Sequence, residues 1–208
     1  MVIEDIYKKI SDMKMEALNN GVPIMQDDTI DFITNFIASK DVLNVLEIGS
    51  AVGYSAIMMA LSSSNVNVVT IERDKDRYMK ALKNIKDFGL EDRITLIFND
   101  ALNVSLKKKF DLIVIDAAKG KNKEFFLNFI DNLDINGTVI TDNINFHGFT
   151  KMDLDKIASR NVRGLVRKIN DYIDFLNNSP LYKTKFYDIG DGISVTERSD
   201  FSGDISKE

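Results

Sequence analysis

From residue 42 to residue 141 the chain repeats one pattern: a short, mostly apolar run, a corner marked by glycine or an acidic residue, and then a helical stretch. The apolar runs fall at 42–48, 66–71, 94–98, 112–115 and 138–141. Runs of this length without polar alternation suit strands covered on both faces. The intervening stretches, including 54–61, 75–88 and 123–133, have helical character and supply the cover. Elements in this alternation wind into right-handed βαβ units around a parallel sheet. The pattern therefore predicts an open α/β sandwich. With 208 residues and 44% hydrophobic content, the chain suits one substantial core and a single domain.

The flanks extend this core. Ile3, Ile6, Tyr7, Ile10, Met13 and Ala17 recur at helical spacing, and after the turn Asn20-Gly21-Val22-Pro23 a second pattern runs through Ile30, Ile33, Phe36 and Ile37. Residues 1–40 thus read as N-terminal helices ahead of a core at 41–198. Near its end the chain predicts a long helix at 153–177, Ser179-Pro180, and two β-like segments at 182–189 and 193–198. Only a tight connection fits Gly190-Asp191-Gly192, so these segments form an antiparallel hairpin at one edge of a mostly parallel, seven-stranded sheet. The tail at 199–208 is polar and expected to be loose.

Composition removes several chemistries. Without cysteine there are no disulfides, thiolate zinc sites or cysteine nucleophiles, and with His147 as the lone histidine there is no multi-histidine metal centre. No segment resembles a secretory leader, and no apolar run approaches the roughly 18 residues of a membrane span, so a soluble, cytoplasmic protein without membrane contact is expected. The net charge of -5 argues against indiscriminate coating of nucleic acid but says little about a local basic patch.

Ligands of open α/β sheets bind beyond the carboxyl ends of the strands. After the first strand comes Glu47-Ile48-Gly49-Ser50-Ala51-Val52-Gly53-Tyr54-Ser55. Gly49 and Gly53 let the backbone turn sharply towards a ligand, and the following helix start presents free N–H groups. The second strand ends in Glu72, whose carboxylate can accept both hydroxyls of a ribose. Asn99-Asp100-Ala101, after the third, can meet an adenine. Together these describe a nucleoside-containing cofactor. A dinucleotide site would need G-x-G-x-x-G, whereas here Ala51 holds the middle position and no third glycine follows in place. Glu47 would repel a pyrophosphate and suits the ammonium of a methionine moiety. The plain alternative is a strand-to-helix turn with solvated acids.

The fourth strand ends in Asp116 and the fifth in Asp142-Asn143. Two carboxylates and an amide at neighbouring strand ends make a hard, incomplete shell of the kind Mg²⁺ or another divalent cation accepts. Open positions in such a shell are what catalysis requires. Taken singly, each residue reads equally well as a helix cap.

In the order LEIGSAVGYSAI, TIERD, FNDA, DLIVIDAAKG, TDNI and RNVRGLVRKIND, the chain resembles the catechol O-methyltransferase-like, cation-dependent class I enzymes, and within them the bacterial tRNA 5-hydroxyuridine methyltransferases. The likeness runs from Val22-Pro23-Ile24-Met25 to Gly190-Asp191-Gly192-Ile193. It implies a Rossmann-like sandwich that binds S-adenosylmethionine through Met25, Glu47, Gly49, Ser55, Glu72, Arg73, Asp100, Ala101 and Asp116. It implies a metal held by Asp116, Asp142 and Asn143, and a lysine base three positions after the first metal aspartate, which is Lys119. Methyl transfer needs a deprotonated oxygen aimed at a sulfonium methyl, and a lysine with a depressed pKa can take that proton. The alternative for Lys119 is a solvated loop residue beside Lys121 and Lys123.

A catechol and a 5-hydroxyuridine each offer two neighbouring oxygens, so the metal site does not separate them. Lys156, Arg160, Arg163 and Arg167, spaced by four, three and four along the expected helix, form a cationic stripe suited to phosphates, opposite Val162, Leu165, Ile169, Tyr172, Ile173 and Leu176. An ordinary solvated face has the same charge pattern. The resemblance favours tRNA, with small catechol-like phenols as the alternative. Animal catechol enzymes place a late glutamate against the second phenolic oxygen, and Gly190-Asp191-Gly192 offers no evident counterpart. Phe146 and His147 follow the metal residues and border the expected substrate. The apolar face of the first helix, and the relatives, suggest a homodimer, and the same face could equally form a lid. A metal-independent methyltransferase and a binding module without chemistry remain open.

Overall fold

A computed structural model describes residues 3–199 of the chain, the side chain of Ile3 excepted. Its sheet has seven strands: β1 (Asn44–Ile48), β2 (Asn67–Glu72), β3 (Ile94–Phe98), β4 (Phe110–Ile115), β5 (Leu133–Thr141), β6 (Tyr182–Tyr187) and β7 (Ile193–Arg198). Their order is β3-β2-β1-β4-β5-β7-β6. The first five are parallel, and β7 pairs antiparallel with both β5 and β6. This is the open α/β sandwich that the sequence pattern predicts, with the hairpin on the edge, and it is the Rossmann-like arrangement that the resemblance implies. The direction of winding reverses between β1 and β4, which opens a crevice above their carboxyl ends.

Among the described residues six α-helices cover the sheet: α1 (Ile3–Asn19), α2 (Asp27–Ser39), α3 (Tyr54–Ser62), α4 (Lys75–Asp87), α5 (Asn122–Phe129) and α6 (Arg160–Asn178). One core layer gathers α1, α2 and α3 against the sheet through Met13, Ile33, Ile57 and Val114. The other packs Phe126 and Phe129 of α5 and Tyr172 of α6 against Leu46 and Ile113. In α1, Met13 and Ala17 are buried while Tyr7, Met15 and Leu18 are exposed. Much of the helix's apolar face is thus used within this chain. Lys80 pairs with Glu16 and ties α1 to α4.

Three expected boundaries shift by more than two residues. The helix expected at 153–177 begins only at Arg160, because short polar side chains claim the backbone first. Asp153 accepts the Asp155 N–H at 3.2 Å, and Ser159 caps α6 by accepting the Val162 N–H at 3.4 Å. Residues Phe149–Lys151 and Leu154–Lys156 form separate 3₁₀ turns. Lys156 therefore lies outside α6, and the cationic stripe is broken after it. The helix expected to reach 133 ends at Phe129, and β5 starts at Leu133 rather than 138. Its first half is exposed at Ile135 and Asn136, which hides it from a search for apolar runs. A Cβ on Gly137 would lie 2.8 Å from Leu133 Cδ1 and 3.0 Å from the Phe110 carbonyl oxygen, beside the register shift of the β4–β5 pair. Ser199 still donates its N–H to the Leu181 carbonyl at 2.9 Å, and the rest of the expected tail lies outside the described residues.

Candidate active site

A cleft of about 460 Å³ opens over the tips of β1, β2, β3 and β4, a size that accommodates a nucleoside-sized ligand. Met25, Gly49, Ser55, Glu72, Arg73, Asp100, Ala101, Asp116, Lys119 and Asn143 line it, so most of the residues singled out from sequence meet there. Its loops are shaped by backbone that side chains restrict. Ala51 and Gly53 take φ of 44° and 84°, which sets the sharp entry into α3. A Cβ on Gly49 would fall 2.2 Å from the Asp116 carbonyl oxygen, so only glycine lets the β1 and β4 tips approach this closely.

On the β1–β3 side the acids are already engaged. Glu72 accepts the N–H groups of Arg73 and Asp74 at 2.8 Å each on one oxygen and that of Ala51 at 2.9 Å on the other. Asp100 accepts the Leu102 N–H at 3.0 Å, and its second oxygen is 3.4 Å from the Arg73 guanidinium. The backbone donor, aided by Arg73, holds its carboxyl below the usual range. Glu47 does not line the cleft. It is fully buried beneath it, accepting from Ser55 Oγ and from Thr70 Oγ1. Burial outweighs those two donors and pushes its pKa up to about 7.

The β4–β5 side differs. Asp116 follows β4, with its N–H donated to the Ile48 carbonyl at 3.0 Å, and Asp142 follows β5, donating likewise to Ile115 at 3.0 Å. Tyr172 of α6 locks the end of β5 from below through a 2.8 Å hydrogen bond with Thr141 Oγ1. Asp142 is buried, accepts the Asn143 N–H at 2.7 Å on Oδ1, and leaves Oδ2 buried with no hydrogen-bond partner. Desolvation raises the pKa of both aspartates well above the carboxylate range, and for Asp116 the charge of Asp142 adds to the rise. Asn143, Phe146 and His147 all take positive φ, at 62°, 44° and 53°, an accumulation of backbone strain that marks functional loops.

Among the described residues no group of three or more His, Cys, Asp or Glu side chains gathers for a metal. The expected ligand set has only two acids, and its third member is the amide of Asn143. The donor chemistry fits a hard cation: two repelling carboxylates in a desolvated corner, one with an orphaned oxygen, are what a divalent ion would relieve. Nearby, Ser50 Oγ, also orphaned and facing the cleft, fits a polar cofactor.

Lys119 sits in a 3₁₀ turn, Lys119–Lys121, with Nζ 5.3 Å from the centre of the Phe146 ring. Its closest acid is one that sequence reasoning passed over. Asp191, between β6 and β7, is buried and reaches to 3.8 Å from Lys119 Nζ. Tyr54, Arg77 and Phe125, and Gln26 just ahead of α2, also line the cleft unanticipated, since no local pattern specifies how those helices are oriented. Tyr54 alone had a signal, as it follows Gly53 directly.

The cationic residues divide. Arg160 and Arg167 are exposed, whereas Arg163 is half-buried and donates to the carbonyls of Ile157 at 2.5 Å and Ala158 at 3.2 Å. A Cβ on Gly120 would lie 3.1 Å from Leu165 and 3.3 Å from Lys168, so the amino-terminal half of α6 packs directly on the Lys119–Lys121 turn. Lys123 Nζ lies 4.9 Å from the Phe175 ring centre.

The O-methyltransferase family profile matches residues 4–199. The chain belongs to the O-methyltransferase family. It is accordingly an S-adenosylmethionine-dependent transferase. A Staphylococcus aureus protein provisionally named a caffeoyl-CoA O-methyltransferase superposes with a TM-score of 0.87 at 37% identity, over 91% of this chain and 92% of that one. An O-methyltransferase from Bacillus cereus, solved with S-adenosylhomocysteine, shares the fold at a TM-score of 0.79 and 22% identity, over 92% and 91% of the two chains. The caffeoyl-CoA O-methyltransferase of Populus kitakamiensis is 26% identical over 86% of this chain and 78% of its own. Among the described residues no helix is long and apolar enough to cross a membrane.

Proposed function

We propose that the protein methylates the 5-hydroxyl of a 5-hydroxyuridine in tRNA, with S-adenosylmethionine as donor and a divalent cation, Mg²⁺ or a similar ion, beside the acceptor. The observation that carries the chemistry is the Asp116–Asp142 pair: Asp116, half-buried, lines the nucleoside-sized cleft and feels the charge of Asp142, which is itself buried and keeps an unpartnered Oδ2. Asp116, Asp142 and Asn143 would hold the cation. When bound, it supplies Lewis acidity that lowers the pKa of the acceptor hydroxyl. S-adenosylmethionine supplies a sulfonium methyl, and its adenosine part would lie against Glu72, Asn99, Asp100 and Ala101, with Met25 on the α2 side.

The chain's own work is then positional. Glu72 and Asp100 hold the β2 and β3 tips rigid and present carboxylate edges to ribose and adenine, which fixes one reactant. Lys119 Nζ is placed to take the proton from the acceptor hydroxyl and hold it beside Asp191. Asp116 and Asp142 concentrate negative charge where the cation is needed, and the surrounding apolar strands keep that corner dry.

Support for a nucleic-acid acceptor comes from the packing of α6 on the Lys119–Lys121 turn. That contact gathers Lys119, Lys121 and Lys168 near the cleft, with Arg160 and Arg167 exposed on the same helix. A second reading, methylation of a small catechol-like phenol, draws on the plant caffeoyl-CoA enzymes to which the chain is similar. The deciding experiment is mass spectrometry of tRNA nucleosides from cells lacking the protein. Accumulated 5-hydroxyuridine and lost 5-methoxyuridine support the tRNA reading, and an unchanged profile overturns it in favour of the phenol.

A further inference from the structure

The loop between β5 and α6 has two sides. On one, Asn143 and His147 line the cleft. On the other, Ile144, Asn145, Thr150 and Lys151 form a wall of a second cavity, of about 520 Å³, which α6 and the end of β6 complete. Asp188 fixes that wall by accepting from Asn145 Nδ2 at 2.9 Å and pairing with Lys151 at 3.0 Å, and Thr150 Oγ1 donates to the Asn145 carbonyl at 3.0 Å.

The groups that face this wall are unspent. Asn170, Ile173 and Asp174 share one face of α6, and the side chains of Asn170 and Asp174 make no hydrogen bond or ion pair with the described residues. Phe186, 38% exposed, lines the cavity from β6. It stands on the strand face that carries Tyr182, whose ring packs 5.0 Å from that of Phe126. The Phe186 ring itself has no aromatic neighbour among the described residues, whereas Tyr187, on the opposite face, lies 5.6 Å from Phe32. The cavity thus combines an open ring, an open amide and an open carboxylate.

That lining selects its occupant. Lys151 offsets Asp188, so Asp174 leaves the cavity acidic and disfavours a phosphate or a phenolic acid inside it. A flat ring stacked on Phe186, with an amino group donating to Asp174, meets both features. Single-stranded RNA is recognised in this manner, by stacking unpaired bases on aromatic side chains and reading their edges, and a carboxylate accepts from an exocyclic amino group. The phosphate that accompanies such a base has a separate partner. Positions 160, 163, 167, 170 and 174 follow one another at three, four, three and four residues, so the exposed Arg167 stands one turn ahead of Asn170 on the same face. The cationic stripe of α6 therefore leads into the cavity.

We propose that the second cavity receives an unpaired nucleobase flanking the acceptor uridine, one that carries an exocyclic amino group. Phe186 is the stacking surface, Asp174 and Asn170 meet the base edge, and Arg167 meets the adjoining phosphate. This rests on the tRNA reading given above. The two sites lie on opposite sides of one loop, which suits them to neighbouring nucleotides.

The test uses the full chain and an RNA stem–loop with 5-hydroxyuridine in its loop. The two nucleotides that flank the 5-hydroxyuridine are replaced in turn by an abasic residue, by uridine and by each amino-bearing nucleotide, and the parent is compared with Phe186→Ala and Asp174→Asn. Far-UV circular dichroism and S-adenosylmethionine affinity within twofold of the parent verify folding. Phe186→Ala is expected to raise KM for the stem–loop at least about fivefold, the lower end of what one lost base stack costs, with kcat within twofold. An abasic residue at one flanking position should cost the parent a similar factor and cost Phe186→Ala less than twofold further. At that position the parent should prefer an amino-bearing base to uracil by roughly threefold or more, and Asp174→Asn should narrow the preference below twofold. Indifference to both flanking bases, or abasic and Phe186→Ala losses that multiply, overturns the proposal. A preference that Asp174→Asn leaves intact overturns the assignment of an amino-bearing base. Turnover of 3,4-dihydroxybenzoate with no methylation of any stem–loop overturns the tRNA reading itself, and this site with it.

Discussion

At the tips of β1, β2 and β3, every carboxylate oxygen of Glu47, Glu72 and Asp100 has a donor, and the backbone around them is tied into place. At the tips of β4 and β5 and in the adjoining hairpin turn, Asp142 and Asp191 each keep an orphaned, buried oxygen, Asp116 is held in an environment hostile to its charge, and three nonglycine residues carry positive φ. In one half of the cleft these three carboxylates are satisfied without any ligand, and Ser50 Oγ is the polar atom left open. The other stores unfavourable electrostatics that a cation and hydrogen-bond donors would relieve, which is how preorganised reactive sites differ from binding scaffolds.

If that division is real, damage to the two halves should differ in size and kind. The largest effect belongs to Asp116→Ala and Asp142→Ala. Each is expected to lower kcat about a thousandfold or more, the several kcal/mol attributed to metal-assisted activation, with cofactor affinity within a few fold by calorimetry. Chelation of divalent ions should do the same to the parent, and full activity in metal-free buffer would erase the distinction between the halves. Glu72→Ala should act in the opposite manner. It leaves three backbone donors without their acceptor, and S-adenosylmethionine binding should weaken by roughly tenfold to a hundredfold while kcat at saturation changes little.

A third test uses stability in metal-free buffer. Glu47 keeps a proton in the folded state up to about pH 7 that the unfolded chain releases near 4.5, and Asp116 and Asp142 are raised in the same direction. Their contribution is therefore fully present below the unfolded pKa and is lost as pH rises through the folded one. The midpoint of thermal unfolding should fall between about pH 4.5 and 7. Asp142→Asn should flatten that fall, and added Mg²⁺ should restore the midpoint at the upper end. Asp100, whose pKa is lowered, contributes with the opposite sign and loses its share on acidification. A midpoint that rises with pH across this range, or one that Asp142→Asn leaves unchanged, would mean that the β4–β5 corner is not the stressed half.

The smallest effect lies on α6. Arg160→Ala and Arg167→Ala should each reduce the log–log salt slope of tRNA binding by up to roughly 0.7–0.9, as expected for one lost phosphate contact. Arg163→Ala should instead cost about 1 kcal/mol of stability, since its guanidinium supports the carbonyls of Ile157 and Ala158. Equal behaviour of all three arginines would mean that the helix does not separate support from contact.

Much of this was legible locally because strand burial, glycine corners and strand-end acids are short-range signals. The run at 112–115 becomes β4 and delivers Asp116, and the helical spacing after Gly53 becomes α3. The misplacements arise where local polar bonds compete with periodicity. Asp153 and Ser159 dismantle the first turns of an expected helix, and the exposed first half of β5 carries no apolar alternation to reveal it. Glu47 was correctly located at a strand end, but which side of the cleft floor its carboxylate occupies depends on Thr70 of the next strand.

By itself, then, the amino-acid order determined the kind of sheet, the family to which the chain belongs, and the residue types waiting at each strand tip, because these depend on neighbours a few positions apart. Tertiary structure alone decided that Asp191 meets Lys119, that Arg163 turns inward, and that Asp116 and Asp142 share a desolvated corner. Those outcomes follow from contacts between distant segments, where the energy of a charge is set by what the rest of the fold leaves beside it.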